Sequence, residues 1–153
     1  MQFRTRAIHV GQDRDPATGA VVPPIHVAST FVQPDCSMAT AYDYARTGSP
    51  TRHAFERTLA DLDGGTRALA FASGMAATHC VTQLLAPGDR IVTGTDIYGG
   101  TWRLFNRVLA PHGIAVTAVD TADTAAVAAA VGPGTKLVWI ESPGNPLLSI
   151  TDI

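Results

Sequence analysis

The sequence predicts an α/β fold, a mostly parallel sheet with helices on its faces, entered through an irregular N-terminal arm. Three observations carry that prediction. From Ser49 onward, short apolar runs alternate with helix-patterned stretches long enough to cross back over a sheet. Before it, Pro16, Gly19, Pro23, Pro24 and Pro34 break any long helix or central strand. The 46% hydrophobic and 16% charged content suits a packed core and not a disordered tail. Residues 1–48 are therefore read as an arm, and residues 49–153 as part of an α/β domain.

In the arm, Ile8, Val21, Val22, Ile25, Val27 and Phe31 are of the buried type, so it is expected to lie across another surface. A flexible tail is the alternative. Ser49 suits a helix N-cap and Pro50 the first helical position; Phe55, Leu59 and Leu62 recur at helical spacing, and Gly64-Gly65 supplies the stop. Ala68 to Ala72 reads as a buried strand. Ser73-Gly74 then turns into a helix from about Met75 to Leu85, ended by Pro87-Gly88. Arg90 to Thr93 is a second strand. A helix from about Thr101 to Leu109 puts Leu104, Val108 and Leu109 on one side. Ile114 to Val119 is a third strand, Ala122 to Val131 an alanine-rich helix stopped by Gly132-Pro133-Gly134, and Leu137 to Ile140 a fourth strand. The alternation then breaks off, which predicts the front part of a longer domain.

Several function classes are excluded at this level. A net charge of −2 with scattered arginines leaves no basic stripe for nucleic acid. Cys36 and Cys80 make no C-x-x-C pattern, in keeping with a reduced, cytoplasmic chain. Met1-Gln2-Phe3-Arg4-Thr5-Arg6 lacks a signal-peptide apolar run, and no stretch approaches the roughly 18 apolar residues of a membrane span. His9, His26, His53, His79 and His112 show no metal-ligand spacing, so no metal is expected. The G-x-S-x-G elbow and the dinucleotide and Walker patterns are missing.

In open α/β sheets, ligands sit beyond the carboxyl ends of the strands. At Ala72-Ser73-Gly74-Met75-Ala76, Gly74 permits close backbone approach, and the following helix offers N–H groups and a positive dipole end to a phosphate. A plain tight turn fits equally well. At Asp96-Ile97-Tyr98-Gly99-Gly100-Thr101, the ring of Tyr98 is able to stack on a flat cofactor or exchange a proton; packing over a turn is the alternative. In Glu141-Ser142-Pro143-Gly144-Asn145-Pro146, Asn145 is a hydrogen-bonding group on a proline-fixed loop, or simply an Asx-turn. In the arm, Tyr44 and Arg46 would share one side of an extended strand and make a phosphate clamp, unless they form a solvated edge.

Taken in order, these segments resemble the cysteine/methionine-metabolism enzymes that use pyridoxal 5'-phosphate (PLP). The resemblance runs through Thr5-Arg-Ala-Ile-His-Val-Gly11, Thr18-Gly-Ala-Val-Val-Pro-Pro-Ile25, Tyr44-Ala-Arg46 and Ser49-Pro-Thr-Arg52. It continues in Leu69-Ala-Phe-Ala-Ser-Gly-Met-Ala-Ala77, Asp96-Ile-Tyr-Gly-Gly-Thr101, Arg103-Leu-Phe105 and Glu141-Ser-Pro-Gly-Asn-Pro146. It implies the fold type I large domain, PLP as cofactor, and trans-sulfuration of small amino acids such as cystathionine, a homoserine ester or cysteine. It implies that Ser73, Gly74 and Met75 hold the cofactor phosphate, that Tyr98 stacks on the ring and aids proton transfer, and that Asn145 lies near the ring hydroxyl. Tyr44 and Arg46 would reach a neighbouring subunit's cofactor in a homotetramer with shared sites, and Arg103 would meet substrate. Where the family often has asparagine, Ser49 stands and keeps the capping role.

The resemblance also places the catalytic lysine and its acidic counterpart further along than Ile153. Lys136, the single lysine, opens a strand and so lies at the end away from the ligand face. Cystathionine γ-synthase or γ-lyase activity leads. O-acyl-homoserine sulfhydrylase follows, and Gly100 ranks methionine γ-lyase lower, because those enzymes often carry cysteine there. The rival readings are a non-catalytic remnant that binds cofactor or oligomerises, and a nucleotide-binding Rossmann domain.

Overall fold

The computed structural model describes residues 1–36 and 40–153. They form two compact units, Met1–Ala70 and Phe71–Ile153.

The first unit contains two helices. α1 (Phe3–His9) is a short helix that the broken pattern of the arm concealed. α2 (Pro50–Leu62) begins as expected: the Ser49 hydroxyl accepts the Arg52 N–H at 3.3 Å, and Pro50 takes the first turn. The helices meet through polar groups. Arg6 Nε donates to Asp61 Oδ2 at 2.7 Å, and Thr58 Oγ1 donates to the Val10 carbonyl at 2.7 Å. Gly11 stands at φ 74°, and a Cβ there would collide with the Ala54 carbonyl and the Thr58 hydroxyl. Only glycine lets the chain pass α2 so closely.

One expectation for this unit, the strand at Ala68 to Ala72, is corrected. Ile8, Val21, Val22, Ile25 and Val27 are exposed within the chain, and Phe31 is half-buried. Contact between α1 and α2 runs along Ala54, Thr58 and Asp61, so the apolar stripe of α2 stays uncovered, with Phe55 and Leu59 exposed. Ala68 to Ala72 is not a strand. Strands exist through ladders, and alanine packs poorly on a pleated surface. Here the Ala70 N–H donates instead to the Glu56 carboxylate at 2.9 Å, while Leu69 and Phe71 stay exposed.

The second unit is a three-stranded parallel sheet in the order β2-β1-β3: β1 (Arg90–Gly94), β2 (Ala115–Val119) and β3 (Thr135–Trp139). Central β1 buries Ile91 and Val92 completely, with Ile97, Leu104, Phe105 and Ile114 completing the core. Around it lie α3 (Gly74–Thr82), α4 (Gly99–Arg103) and α5 (Thr124–Ala130). Asp123 caps α5 by accepting the Ala125 and Ala126 N–H groups. α4 starts earlier than expected and runs on as a π-helical stretch, Leu104–Leu109. Its i→i+5 winding aligns Leu104 with Leu109 and turns Val108 outward, so Val108 is exposed, against the side shared with Leu104 that an α-helical count gives. Among the described residues, no helix is long and apolar enough to cross a membrane.

Candidate active site

The carboxyl ends of the three strands are Gly94, Val119 and Trp139, and the loops beyond β1 and β3 carry Tyr98 and Asn145. Tyr98 precedes α4 and is half exposed, 49% of its surface being accessible. Its N–H donates to Glu141 Oε2 at 2.7 Å, and its carbonyl accepts the Trp102 N–H at 3.0 Å. Glycine at position 100 decides where the ring sits. A Cβ at Gly100 would run into the Tyr98 ring edge and lie 2.8 Å from the Met75 sulfur. Two segments read separately in the sequence, Ser73–Met75 and Tyr98–Gly100, therefore converge on one spot.

At the start of α3, the Ser73 hydroxyl accepts the Ala76 N–H at 3.1 Å. Among the described residues, the N–H groups of Gly74 and Met75 have no hydrogen-bond partner, and a Cβ on Gly74 would meet nothing within 4 Å. Two free amides, a hydroxyl and a positive helix end, open to solvent, fit the phosphate of the implied cofactor. The neighbouring Tyr98 ring fits its flat heterocycle. Arg103 folds back toward Gly99, its Nη1 3.4 Å from where a Cβ would stand, and no carboxylate pairs with it among the described residues. Asn145 is exposed, in a loop held from both sides by Gly144, whose N–H donates to the Ser149 carbonyl at 2.8 Å, and by Leu147, whose N–H donates to Asp96 at 3.0 Å.

In the first unit, Tyr44 and Arg46 come together by another route than the one expected. Tyr44 bridges to Thr30, but Ala45–Thr47 is a turn and not a strand. The turn folds the Arg46 guanidinium over the Tyr44 ring, 4.9 Å from its centroid. Arg52 pins the turn, donating to the carbonyls of Ala45, Arg46 and Thr47 at 3.4, 3.2 and 2.7 Å. Asp43 closes it by accepting the Thr47 hydroxyl and the Tyr44 N–H, and those bonds hold its carboxyl below the ordinary carboxylate value, the Thr47 hydroxyl first. A cleft of about 490 Å³ nearby is lined by Tyr42, Arg52, His53 and Glu56. Arg52 and Glu56 pair there across 3.6 Å, and Arg57 and Arg67 line the same cleft.

Three residues that hold these segments went unassigned in the sequence: Arg52 for the Tyr44–Arg46 turn, Asp96 and Glu141 for the strand-end loops. Each was part of a quoted motif. For Asp96 and Glu141 the legible signal was an acid at the mouth of a glycine-containing strand-end loop, where orphan backbone N–H groups need an acceptor.

The profile of a family described as "Cys/Met metabolism PLP-dependent enzyme" matches residues 4–153. Cystathionine γ-synthase of Mycobacterium tuberculosis is 51% identical over 151 residues, covering 97% of this chain and 39% of that protein. The crystal structure of cystathionine γ-lyase from Lactobacillus plantarum complexed with L-serine matches with a TM-score of 0.89 at 50% identity, over 99% of this chain and 39% of that one. That of metB from Corynebacterium glutamicum matches with a TM-score of 0.92 at 44% identity, over 99% and 40%. The α/β architecture and its parallel sheet thus match part of a fold type I PLP enzyme. The chain spans less than half the length of the curated relatives it matches, 47% in one and 38% in another.

Proposed function

The chain belongs to the Cys/Met metabolism PLP-dependent enzyme family, and on that premise we propose that its protein makes or breaks the C–S bond of a sulfur amino acid. Cystathionine γ-synthase or γ-lyase chemistry comes first, O-acyl-homoserine sulfhydrylase next, and methionine γ-lyase behind them because Gly100 stands at its position. The observation that carries the reading is the convergence of the Met75 side chain, from the start of α3 with its free amides, and the Tyr98 ring at Gly100.

In this reading the Gly74 and Met75 N–H groups and the Ser73 hydroxyl hold the phosphate. Tyr98 lies against the ring and moves a proton at its phenol oxygen. Asn145 donates near the ring hydroxyl, and Arg103 pairs with a substrate carboxylate. PLP, when bound, supplies an electron sink for the carbanion formed beside the amino group. Tyr44 and Arg46, held by Arg52, reach the phosphate of a second copy's cofactor, which makes the site a shared one. Lys136 is exposed and near the amino end of β3, away from these loops, so the lysine that bears the cofactor belongs outside these residues. The same observation supports the rival reading, in which the 153 residues alone bind cofactor or oligomerise without catalysis.

The test is cofactor retention in the assembled protein. Arg46→Ala and Tyr98→Ala should each weaken PLP binding about tenfold, the worth of one charge-assisted hydrogen bond or a ring stack. Binding that neither change alters would end the proposal. Borohydride reduction and peptide mapping that label Lys136 would overturn its exclusion.

A further inference from the structure

We infer that Asp96 and Glu141 form a reciprocal carboxylate clamp, in which each strand-end loop supplies the acid that ties down the other loop's backbone. Asp96 stands in the loop after β1, yet its oxygens accept the N–H groups of the loop after β3: Leu147 on Oδ1 at 3.0 Å and Ser149 on Oδ2 at 3.2 Å. Glu141 stands in the loop after β3, yet its Oε2 accepts the Tyr98 N–H at 2.7 Å and its Oε1 the Thr101 hydroxyl at 3.0 Å, both from the loop and helix after β1.

The rest of the region is shaped to allow this exchange. Gly144 brings its backbone against Asp96: a Cβ there would stand 2.7 Å from the Asp96 carbonyl and collide with the carboxylate. Leu148, between the two donated amides, takes a φ of 60°, unusual for a residue with a side chain, and so turns both amides toward one carboxylate. Oε1 of Glu141 also accepts the Trp139 indole N–H at 3.0 Å, and Trp139 stands edge-on to Phe105, with centroids 5.9 Å apart at 90°. The clamp is thereby anchored in the core. Two oxygens that only accept are what the donors demand, because an amide side chain would turn its NH₂ toward one of them.

Asp96 and Glu141 are therefore positioning residues. They fix Tyr98 and Asn145, on different loops, in one relation. The value of that relation for a cofactor ring rests on the function proposed above; the clamp itself does not.

Amide exchange in the 153-residue chain tests the clamp without any cofactor. Glu141→Gln should lower the protection of Leu147 and Ser149, which it does not touch, about tenfold, and Asp96→Asn should do the same to Tyr98. Asp96→Glu, which keeps two accepting oxygens, should restore part of the loss, and the milder Thr101→Val should give a smaller effect of the same kind. Unchanged protection of Ile91 and Val92 certifies that each variant folds. Loosening confined to the amides each acid binds directly would overturn the clamp. PLP titration forms the second arm. Cross-loop loosening with PLP bound more weakly supports both proposals. The same loosening in the variants, beside a wild-type chain that binds no PLP, alone or assembled, sustains the clamp and removes the cofactor reading.

Discussion

Residues Phe71–Ile153 bury Ile91, Val92, Ile97, Leu104, Phe105 and Ile114, whereas among the described residues of Met1–Ala70 only Gly11 is buried. In place of a core the first unit has directed polar ties: Arg6 to Asp61, Arg57 to Asp13, Thr58 to Val10, and Arg52 to three carbonyls. Apolar burial is proportional to area and indifferent to direction, so it supplies stability. Hydrogen bonds and exposed ion pairs add little net free energy but fix geometry. The second unit uses both kinds, a core for stability and two carboxylates for loop placement. The first unit relies on geometry, with Val21, Val22, Ile25 and Val27 exposed.

The largest effect should come from the core. Phe105→Ala should cost about 3–5 kcal/mol, read by urea unfolding. Exchange protection of Ile91 and Val92 should collapse while that of α2 holds. An equal fall in α2 would break the contrast between the units.

Acid should act next, and on turns more than on the core. Asp96 is held below the usual carboxylate value chiefly by the Leu147 N–H, and Asp43 chiefly by the Thr47 hydroxyl. A folded value below the unfolded one means that the contribution is complete above the unfolded value of 3.8. It is lost as pH falls through the folded value. Lowering the pH from 5 toward about 2 should therefore loosen residues 43–47 and 144–149, with Ile91 keeping its protection factor. Turns unaffected by acid would show that these carboxylates do not hold them.

Salt should act least. Arg57–Asp13 and Arg6–Asp61 are partly exposed, worth about 0–1 kcal/mol each. Raising ionic strength to about 1 M shortens screening to roughly 3 Å and should lower protection in α1 slightly, leaving β1 unchanged. A large loss in α1 would show that ion pairs, rather than Gly11 and Thr58, seat it.

How much of this was legible follows from how far each signal reaches along the chain. Ser49 and Ser73 announce helix starts because a cap bonds the backbone three residues on. Ile91-Val92 and the alternating residues of β2 and β3 announce strands because each carries its own apolar pattern. The same signal misled at Ala68–Ala72, where an apolar run had no ladder to join. It misled again at Val108, because the wider π winding is invisible to a count of 3.6 residues per turn.

The order of the motifs by itself determined the family and therefore the class of cofactor to expect. Composition and local pattern determined the α/β alternation. Tertiary structure alone decided that the Tyr98 ring meets Met75 at Gly100, that Arg52 bends the Tyr44–Arg46 turn, and that Asp96 and Glu141 serve each other's loops. Their partners lie five to more than fifty residues away, and a carboxylate's acceptor geometry leaves no periodic trace in a sequence. Only once β1 and β3 are paired do those loops lie side by side, and only then does each acid have a choice of backbone to hold.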